Sequence, residues 1–554
     1  MLSAFKFNTT YFILLFTLLN LIQISLTELT SDEAYYWFYS LNLDWGYYDH
    51  PPVTGVLTYL GSLISNSEFG VRLFHTLILS TGLIFIFKLI PERQRVFAGI
   101  LILALPLFNY VSFILFPDTA LIGISAVLIF SYNQFLIKND IKSALILGSL
   151  FGIALLCKYH AILIIFSIVL SNLRLLKNTF FYVSLLLAFF IFLPHFIWQY
   201  HHDFITFKYH LIGRNSSFKI NYFFEYLASQ IGIIGIGIVI TPFLFKSSDQ
   251  FEKSLKFIVL GTLFFFALSS VKGYVHLHWT SISLVPILLI ASKFYYSQKS
   301  NYLLGFTVLP FVGIILFTRI YFMFNFLSLN SLNVDYYHGR PLWAEDIDKV
   351  AKDRPVVFNT GNSGLRESPM YSFYSGNFSA ALFPGEHKKS QYQVLNYEDS
   401  IQSTDIMLIN NDKQNFSLKT RMGKTIYYKE ITNFTSFGNI AITSEYEDTI
   451  SEQTPFKITA IIHNHRQDSL TFSDKHKIYI EFEDVQGEKH EHFFRLKSIG
   501  SIAPNFKKEI PLDFSSDLLP ESEYTFIIGF SGHDISNSVN TKRSKIRITK
   551  AKRY

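Results

Sequence analysis

Up to about Leu327 the chain is a succession of long apolar stretches with few polar interruptions, and beyond it apolar residues recur in short alternating runs between turn residues. The first pattern is that of membrane-spanning helices, because a hydrocarbon core takes about 20 helical residues to cross. Roughly eleven stretches are long enough, or nearly so: 9–29, 70–90, 96–115, 119–137, 142–157, 159–172, 179–198, 226–245, 255–271, 278–294 and 302–322. Segments 142–157 and 159–172 are short and nearly continuous, which leaves a re-entrant hairpin open there and the count at ten to twelve. "GIIGIGIVI" at 232–240 has the glycines of a phosphate-binding loop but lies inside an apolar span, so close helix packing is expected of it.

The second pattern is that of a water-soluble region. "RPVVFNTG" and "TDIMLIN" read as short strands separated by the helix-compatible "SGLRESPMYSFYSG", which predicts a small α/β unit over 334–432. Segments such as "FKITAIIHNH", "KIYIEFEDV", "YTFIIGFSG" and "SKIRITK" alternate in the β manner and predict a β-sandwich over 436–554. Its basic end, Lys542 to Arg553, reads as a solvated edge strand. The expected fold class is thus a polytopic α-helical membrane protein over 1–327 followed by α/β and β-sandwich domains.

Composition agrees. Of 554 residues, 50% are hydrophobic, 17% aromatic and only 16% charged, where a soluble domain has about a quarter charged. The single cysteine, Cys157, excludes an intramolecular disulfide and a multi-cysteine metal site. A net charge of +6 over this length gives no support to nucleic-acid binding. Basic residues in the short loops set the expected orientation. With a cytoplasmic N-terminus, the inside loops hold Lys88, Arg93, Arg95, Lys138, Lys142, Arg174, Lys177, Lys246 and their like, while the outside loops hold only Lys158, Lys208, Arg214, Lys219 and Lys272. The first loop, up to Gly70, has no Lys or Arg and is expected outside. "ISLTELTSDEA" lacks a small-x-small cleavage site, so the first span reads as an uncleaved anchor. An odd helix count then places the C-terminal domains outside.

Candidate chemistry concentrates in the outward loops. The first offers Asp32, Glu33, Asp44, Asp49 and His50 among Tyr35, Tyr36, Trp37, Tyr39, Trp45, Tyr47 and Tyr48, with a Pro51-Pro52 turn. Aromatic residues gather at membrane interfaces, and carboxylates at a helix start cap it. An acidic pair, six or more aromatics and a Pro-Pro turn in one loop exceed what anchoring requires. Asp118 in "FPDTALIGI" reads as an N-cap, as a functional acid, or as both. Lys158 in "LLCKYHAI" sits between apolar stretches, where an ionisable side chain is either functional or snorkels to the interface.

"DEAYYWFYSLNLDWGYYDHPPVTGVLTYLG" resembles the first external loop of the membrane glycosyltransferases of family 39, in the GT-C superfamily, related to the protein O-mannosyltransferases and the aminoarabinose transferase of lipid A. The resemblance continues through "FPDTALIGI", "GIALLCKYHAILI", "LPHFIWQYHHDFITFKYH" and "VKGYVHLHWTSISLVPILL", and so covers most of residues 1–325. It implies inverting transfer of a sugar from a polyprenyl-phosphate carrier to a hydroxyl of a lipid, glycan or protein acceptor, on the outer face of a bacterial cytoplasmic membrane. By similarity Asp32 is the general base, Glu33 orients it or faces a helix end, and Asp118 is the second acidic position. The carrier phosphate needs positive charge, for which Lys158, Lys208, His210, Arg214, Lys272 and His50 are candidates. Relatives of the aminoarabinose type often carry Glu-Lys where this chain has Asp49-His50, so that pair is open to three roles: phosphate contact, divalent-metal ligand, or turn. "HLH" at 276–278 and "HHD" at 201–203 lack strong metal-ligand spacing.

Two other classes stand beside the enzyme. A transporter or lipid flippase would show paired internal repeats with interrupted helices, and none is evident in the sequence. A membrane anchor displaying a binding domain would not need a carboxylate-rich loop between its first two spans.

Overall fold

The computed structural model describes residues 7–213, 218–298, 302–327, 337–361, 363–382, 390–411, 416–451, 454–496, 499–515 and 519–549. The chain divides into two compact units, Met1–Arg340 and Pro341–Tyr554.

In the first unit the helices run α1 (Thr9–Leu26), α2 (Ser31–Ser40), α3 (Val53–Ser62), α4 (Glu68–Leu89), α5 (Arg95–Ala104), α6 (Pro106–Phe113), α7 (Pro117–Lys138), α8 (Ile141–Cys157), α9 (Ile162–Ser171) and α10 (Thr179–His201). Further helices include Ile220–Ile234, Gln250–Ser270, Leu284–Ser297 and Leu309–Met323. Among the described residues six helices are long and apolar enough to cross a membrane, and eight if each of two bent pairs is one span. The expected count of eleven is therefore not reached by that measure. Segments 142–157 and 159–172 fall in the shorter apolar helices Ile141–Cys157 and Tyr159–Ser171.

Two expected straight spans are broken, each for a local reason. Segment 96–115 bends by 70° between Ala104 and Pro106. Proline cannot donate to the preceding turn but suits the first position of a new helix. Segment 226–245 bends by 99° after Ile234, at Gly235 with φ +86°, a conformation that only glycine takes readily. The close packing expected in this glycine-rich stretch holds just beyond the bend, where the Tyr295 hydroxyl donates to the Gly237 carbonyl at 2.6 Å.

A buried arginine closes this unit. Arg319 is 2% exposed and donates to Gln23 Oε1 at 3.2 Å, Asn109 Oδ1 at 3.0 Å and Asn20 Oδ1. Its guanidinium also lies over the Phe113 ring, 4.9 Å from the centroid. The first span, the bent α6 and the last span are thus held at one point by neutral acceptors.

In the second unit a five-stranded sheet is built from β1 (Val356–Asn359), β2 (Ser379–Ala381), β3 (Ile406–Asn410), β4 (Phe416–Lys419) and β5 (Thr425–Ile431), in the order β2-β1-β3-β5-β4. β1 is parallel to β2 and β3, while β5 runs antiparallel to β3 and β4. Helices Arg340–Ala351 and Gly364–Ser375 flank β1 in sequence. The remaining strands are β6 (Ala441–Glu445), β7 (Thr449–Ser451), β8 (Phe456–His463), β9 (Leu470–Thr471), β10 (Lys477–Asp484), β11 (Lys489–Arg495), β12 (Ser501–Ile502), β13 (Lys507–Phe514), β14 (Ser522–Ser531) and β15 (Ser544–Thr549). They form sheets β11-β10-β14-β15-β7 and β13-β8-β6 with a small β12-β9 pair. Ile458, Ile462, Ile480, Phe482 and Ile528 meet in one core between them, as alternating inward positions of two sheets should.

Two imidazoles lie in that sandwich. His476 and His533 are 4% and 8% exposed, and His476 Nε2 and His533 Nδ1 are buried without a hydrogen-bond partner. Burial pulls His533 down to about 4, and burial followed by the Lys475 charge lowers His476. An imidazole with a depressed folded pKa contributes stability that is full above its ordinary value near 6.5 and falls as the unfolded chain takes up the proton. Protection of β10 and β14 amides in hydrogen exchange, corrected for the intrinsic pH dependence, should fall steadily from pH 7 towards 4. A His533→Phe variant should flatten that slope.

Candidate functional site

The residues between α1 and α4 form the framework of the site. "TSDE" at 30–33 begins α2 with a capping box, in which Glu33 N donates to Thr30 Oγ1 at 3.3 Å and Thr30 N donates to Glu33 Oε2 at 2.8 Å. Glu33 is fully buried and accepts a two-pronged bond from Arg72 of α4, Nε to Oε1 at 2.6 Å and Nη2 to Oε2 at 2.7 Å. Leu115 N also donates to Oε1 at 2.6 Å. Arg72 spends its other donors on the carbonyls that end α1, those of Ile24, Thr27 and Glu28, at 3.2, 2.5 and 2.9 Å. Of the acidic pair, then, Glu33 holds helix starts and ends together, and its neighbour Asp32 is left partly exposed.

Tyr36, one turn further along α2, identifies what faces Asp32. Burial raises its phenol well above the ordinary value, and the carboxylates of Asp32, Asp49 and Asp118 add to the shift in that order. Tyr36 thus lies within the electrostatic reach of three of the acids singled out in the sequence. The Tyr36 hydroxyl is 3.5 Å from His50 Nε2. Tyr39 donates to Asp49 Oδ1, and its own phenol is raised by burial and then by Asp49. Tyr39 stacks on Tyr47 with centroids 4.1 Å apart.

Asp118 is fully buried in the first turn of α7, and the N-cap is Phe116 rather than Asp118. Its carboxylate instead accepts from Lys158 Nζ at 2.6 Å and from Ser281 Oγ at 2.5 Å, with His278 Nε2 at 3.9 Å. Lys158 is 3% exposed, so it does not snorkel to the interface. It ends α8 in an extended conformation, which turns its side chain into the bundle.

The other candidates scatter. Lys208 pairs with Asp203 at 2.6 Å on the surface, the side chains 50% and 83% exposed. His210 Nε2 donates to the Asp49 carbonyl at 2.9 Å, with its ring 6.4 Å from that of His50. Lys272 is exposed just beyond the end of Gln250–Ser270. Arg214 lies outside the described residues. Asp49 Oδ2 and His50 Nε2 are 3.9 Å apart, and no group of three or more His, Cys, Asp or Glu among the described residues is placed to hold a metal.

Sequence reasoning missed Arg72, although an arginine inside an apolar span is a signal in itself. It also missed Ser281, and it missed the layer of Tyr159, His195 and Gln199 beneath the loop.

Beside the loop lies an open, largely apolar groove of about 510 Å³. Leu43, Trp45 and Pro52 line it from the loop, Ile78 from α4, and Ile153 and Cys157 from α8. Its carboxylate is Asp44, which accepts from Trp198 Nε1 at 2.7 Å, and Cys157 is the residue before Lys158.

The family model described as dolichyl-phosphate-mannose-protein mannosyltransferase matches residues 49–198. The lipid A galacturonosyltransferase RgtD of Rhizobium johnstonii is 25% identical over 306 residues, 50% of this chain and 63% of that protein. The chain thus spans less than two thirds of the length of that curated relative. Crystal structures of ArnT from Cupriavidus metallidurans, bound to undecaprenyl phosphate and in the apo state, match with TM-scores of 0.57 and 0.54 at 13% and 11% identity. Each covers 76% of this chain and 97% of the ArnT chain. The resemblance read from the loop motifs is thereby upheld in sequence and in fold.

The Glu33–Arg72 pair makes a stability prediction. Arg72→Met leaves a buried carboxylate without its cation, a loss of about 3–5 kcal/mol, and should lower the unfolding temperature of the detergent-solubilised chain sharply. The double variant Glu33→Gln/Arg72→Met should recover part of the loss.

Proposed function

We propose that this chain, similar in sequence and fold to the membrane glycosyltransferases of GT-C family 39, transfers a sugar from a polyprenyl-phosphate carrier to an acceptor hydroxyl at the outer face of the membrane. The observation that carries the reading is the cluster of ionisable groups at the first loop, with Tyr39 bonded to Asp49, the Tyr36 hydroxyl 3.5 Å from His50 Nε2 and Asp118 held by Lys158 and Ser281, in the unit whose apolar groove lies beside the same loop. An isoprenoid tail belongs in such a groove and a phosphate-linked sugar in the polar chamber. ArnT has been crystallised with undecaprenyl phosphate, and the name of RgtD points to lipid A as its acceptor, which together favour a polyprenyl donor and a lipid acceptor here.

In this reading the acceptor oxygen attacks the anomeric carbon with inversion. Asp32 takes the proton from that oxygen, and the bond to the carrier phosphate breaks with its electron pair on the phosphate. Asp32 is suited to the role because it is partly exposed, whereas Glu33 is fully buried against Arg72. Phosphate is a good leaving group, so the departing side needs positive charge rather than a general acid. His50, Lys272 and Arg214 are candidates for that charge. Lys158 is committed to Asp118 at 2.6 Å, so it serves chiefly by holding Asp118 in place.

Asp32→Asn should reduce sugar transfer from a polyprenyl-phosphate donor by about 10²–10⁴-fold while inserting normally in the membrane; unchanged transfer would remove Asp32 as the base. Mass spectrometry of lipids and glycans from a deletion strain should show an accumulated carrier and one missing substituent, which names the sugar and the acceptor.

A further inference from the structure

Lys158 and Tyr159 leave the end of α8 in succession, and Tyr159 opens the short turn Tyr159–Ala161 before α9. Lys158 goes to Asp118. The Tyr159 hydroxyl lies 2.6 Å from His195 Nε2, and His195 Nδ1 lies 2.6 Å from the Trp45 carbonyl. A carbonyl can only accept, so Nδ1 carries the proton, and Nε2 of the neutral ring accepts from the tyrosine. The phenol oxygen accepts in turn from Gln199 Nε2 at 3.2 Å. The same amide donates to Thr206 Oγ1 at 2.5 Å, and Thr206 donates to the Tyr47 carbonyl at 2.9 Å. From one hydroxyl, two hydrogen-bonded paths therefore run to the backbone at Trp45 and Tyr47, on either side of Gly46.

That backbone is pressed onto the relay. A Cβ at Gly46 would come within 2.5 Å of Trp198 Cε3 and 2.9 Å of His195 Cε1, so only glycine allows the loop this close. Tyr47 N donates to the His50 carbonyl at 2.9 Å, which closes the turn carrying Asp49 and His50. On the far side of that turn His210 donates to the Asp49 carbonyl, with the Tyr159 ring 5.9 Å from its own.

We propose that Tyr159 is a positioning residue for sugar transfer: through His195 and Gln199 it fixes the Asp49–His50 turn relative to the Lys158–Asp118 pair. The inference rests on the proposed sugar transfer. A phenylalanine would fill the same space, so the hydroxyl matters only because the loop must be held in one register. Reacting groups displaced by a fraction of an ångström lose rate before they lose binding.

The test compares steady-state kinetics of the full chain in detergent with a polyprenyl-phosphate sugar donor, at matched amounts of folded protein. Tyr159→Phe should lower kcat about ten- to a hundredfold while KM for the donor changes far less. His195→Gln keeps one donor and one acceptor and should retain more activity than His195→Leu. That advantage should vanish when either is combined with Tyr159→Phe. Wild-type kcat in Tyr159→Phe, or equal activity of the two His195 variants, would overturn the inference. If the unaltered chain transfers no sugar from any polyprenyl-phosphate donor, the proposed function itself falls.

Discussion

A charge buried among apolar helices must be met by an opposite charge or by dipoles that stand in for water, and Glu33 with Arg72 is where this chain meets that constraint first. Each partner is almost wholly enclosed, and each spends nearly all of its hydrogen-bonding capacity at once. The carboxylate gathers the start of α2, the side chain from α4 and the backbone at Leu115; the guanidinium gathers the carbonyls that finish α1. Four chain segments are brought to one point by two side chains. The position of Asp32, beside Glu33 in the first turn of α2, follows from that point.

Asp118 and Lys158 repeat the solution one layer away, with Ser281 completing it. The two pairs account for four of the charged side chains buried in the bundle. They also divide the acids into two kinds. Glu33 and Asp118 are each held by a buried cation, whereas Asp49 accepts from Tyr39 in the loop beside His50. The departure from Glu-Lys to Asp49-His50 therefore falls in the loop and on neither of the two buried ion pairs. Here Asp49 is engaged by Tyr39 through its side chain and by His210 through its backbone.

Much of this was legible in the chain. The apolar runs and the alternating runs marked the helical and strand-rich parts, and the loop motifs carried the family resemblance. What the sequence hid was mostly distance. Arg72 lies 39 residues from Glu33, and Lys158 lies 40 from Asp118, so neither pairing shows in any local pattern. One signal was there to be read: Thr30-Ser31-Asp32-Glu33 has the threonine-to-glutamate spacing of a capping box, and that spacing alone separates the helix-capping acid from its neighbour. The helix count of eleven is not confirmed for a different reason: the apolar stretches 142–157 and 159–172 form helices shorter than the six to eight candidate spans, and apolar content does not register a 99° bend at Gly235 or a restart at Pro106.

The Glu33–Arg72 pair also has a consequence for how the protein is made. Glu33 emerges from the ribosome 39 residues before its cation, and during that interval an ionised carboxylate has no reason to leave water. α2 can settle into its buried place only after α4 has entered the bilayer and delivered Arg72. The loop that carries the acids is thus synthesised before the helix it depends on and is among the last of its neighbourhood to be packed.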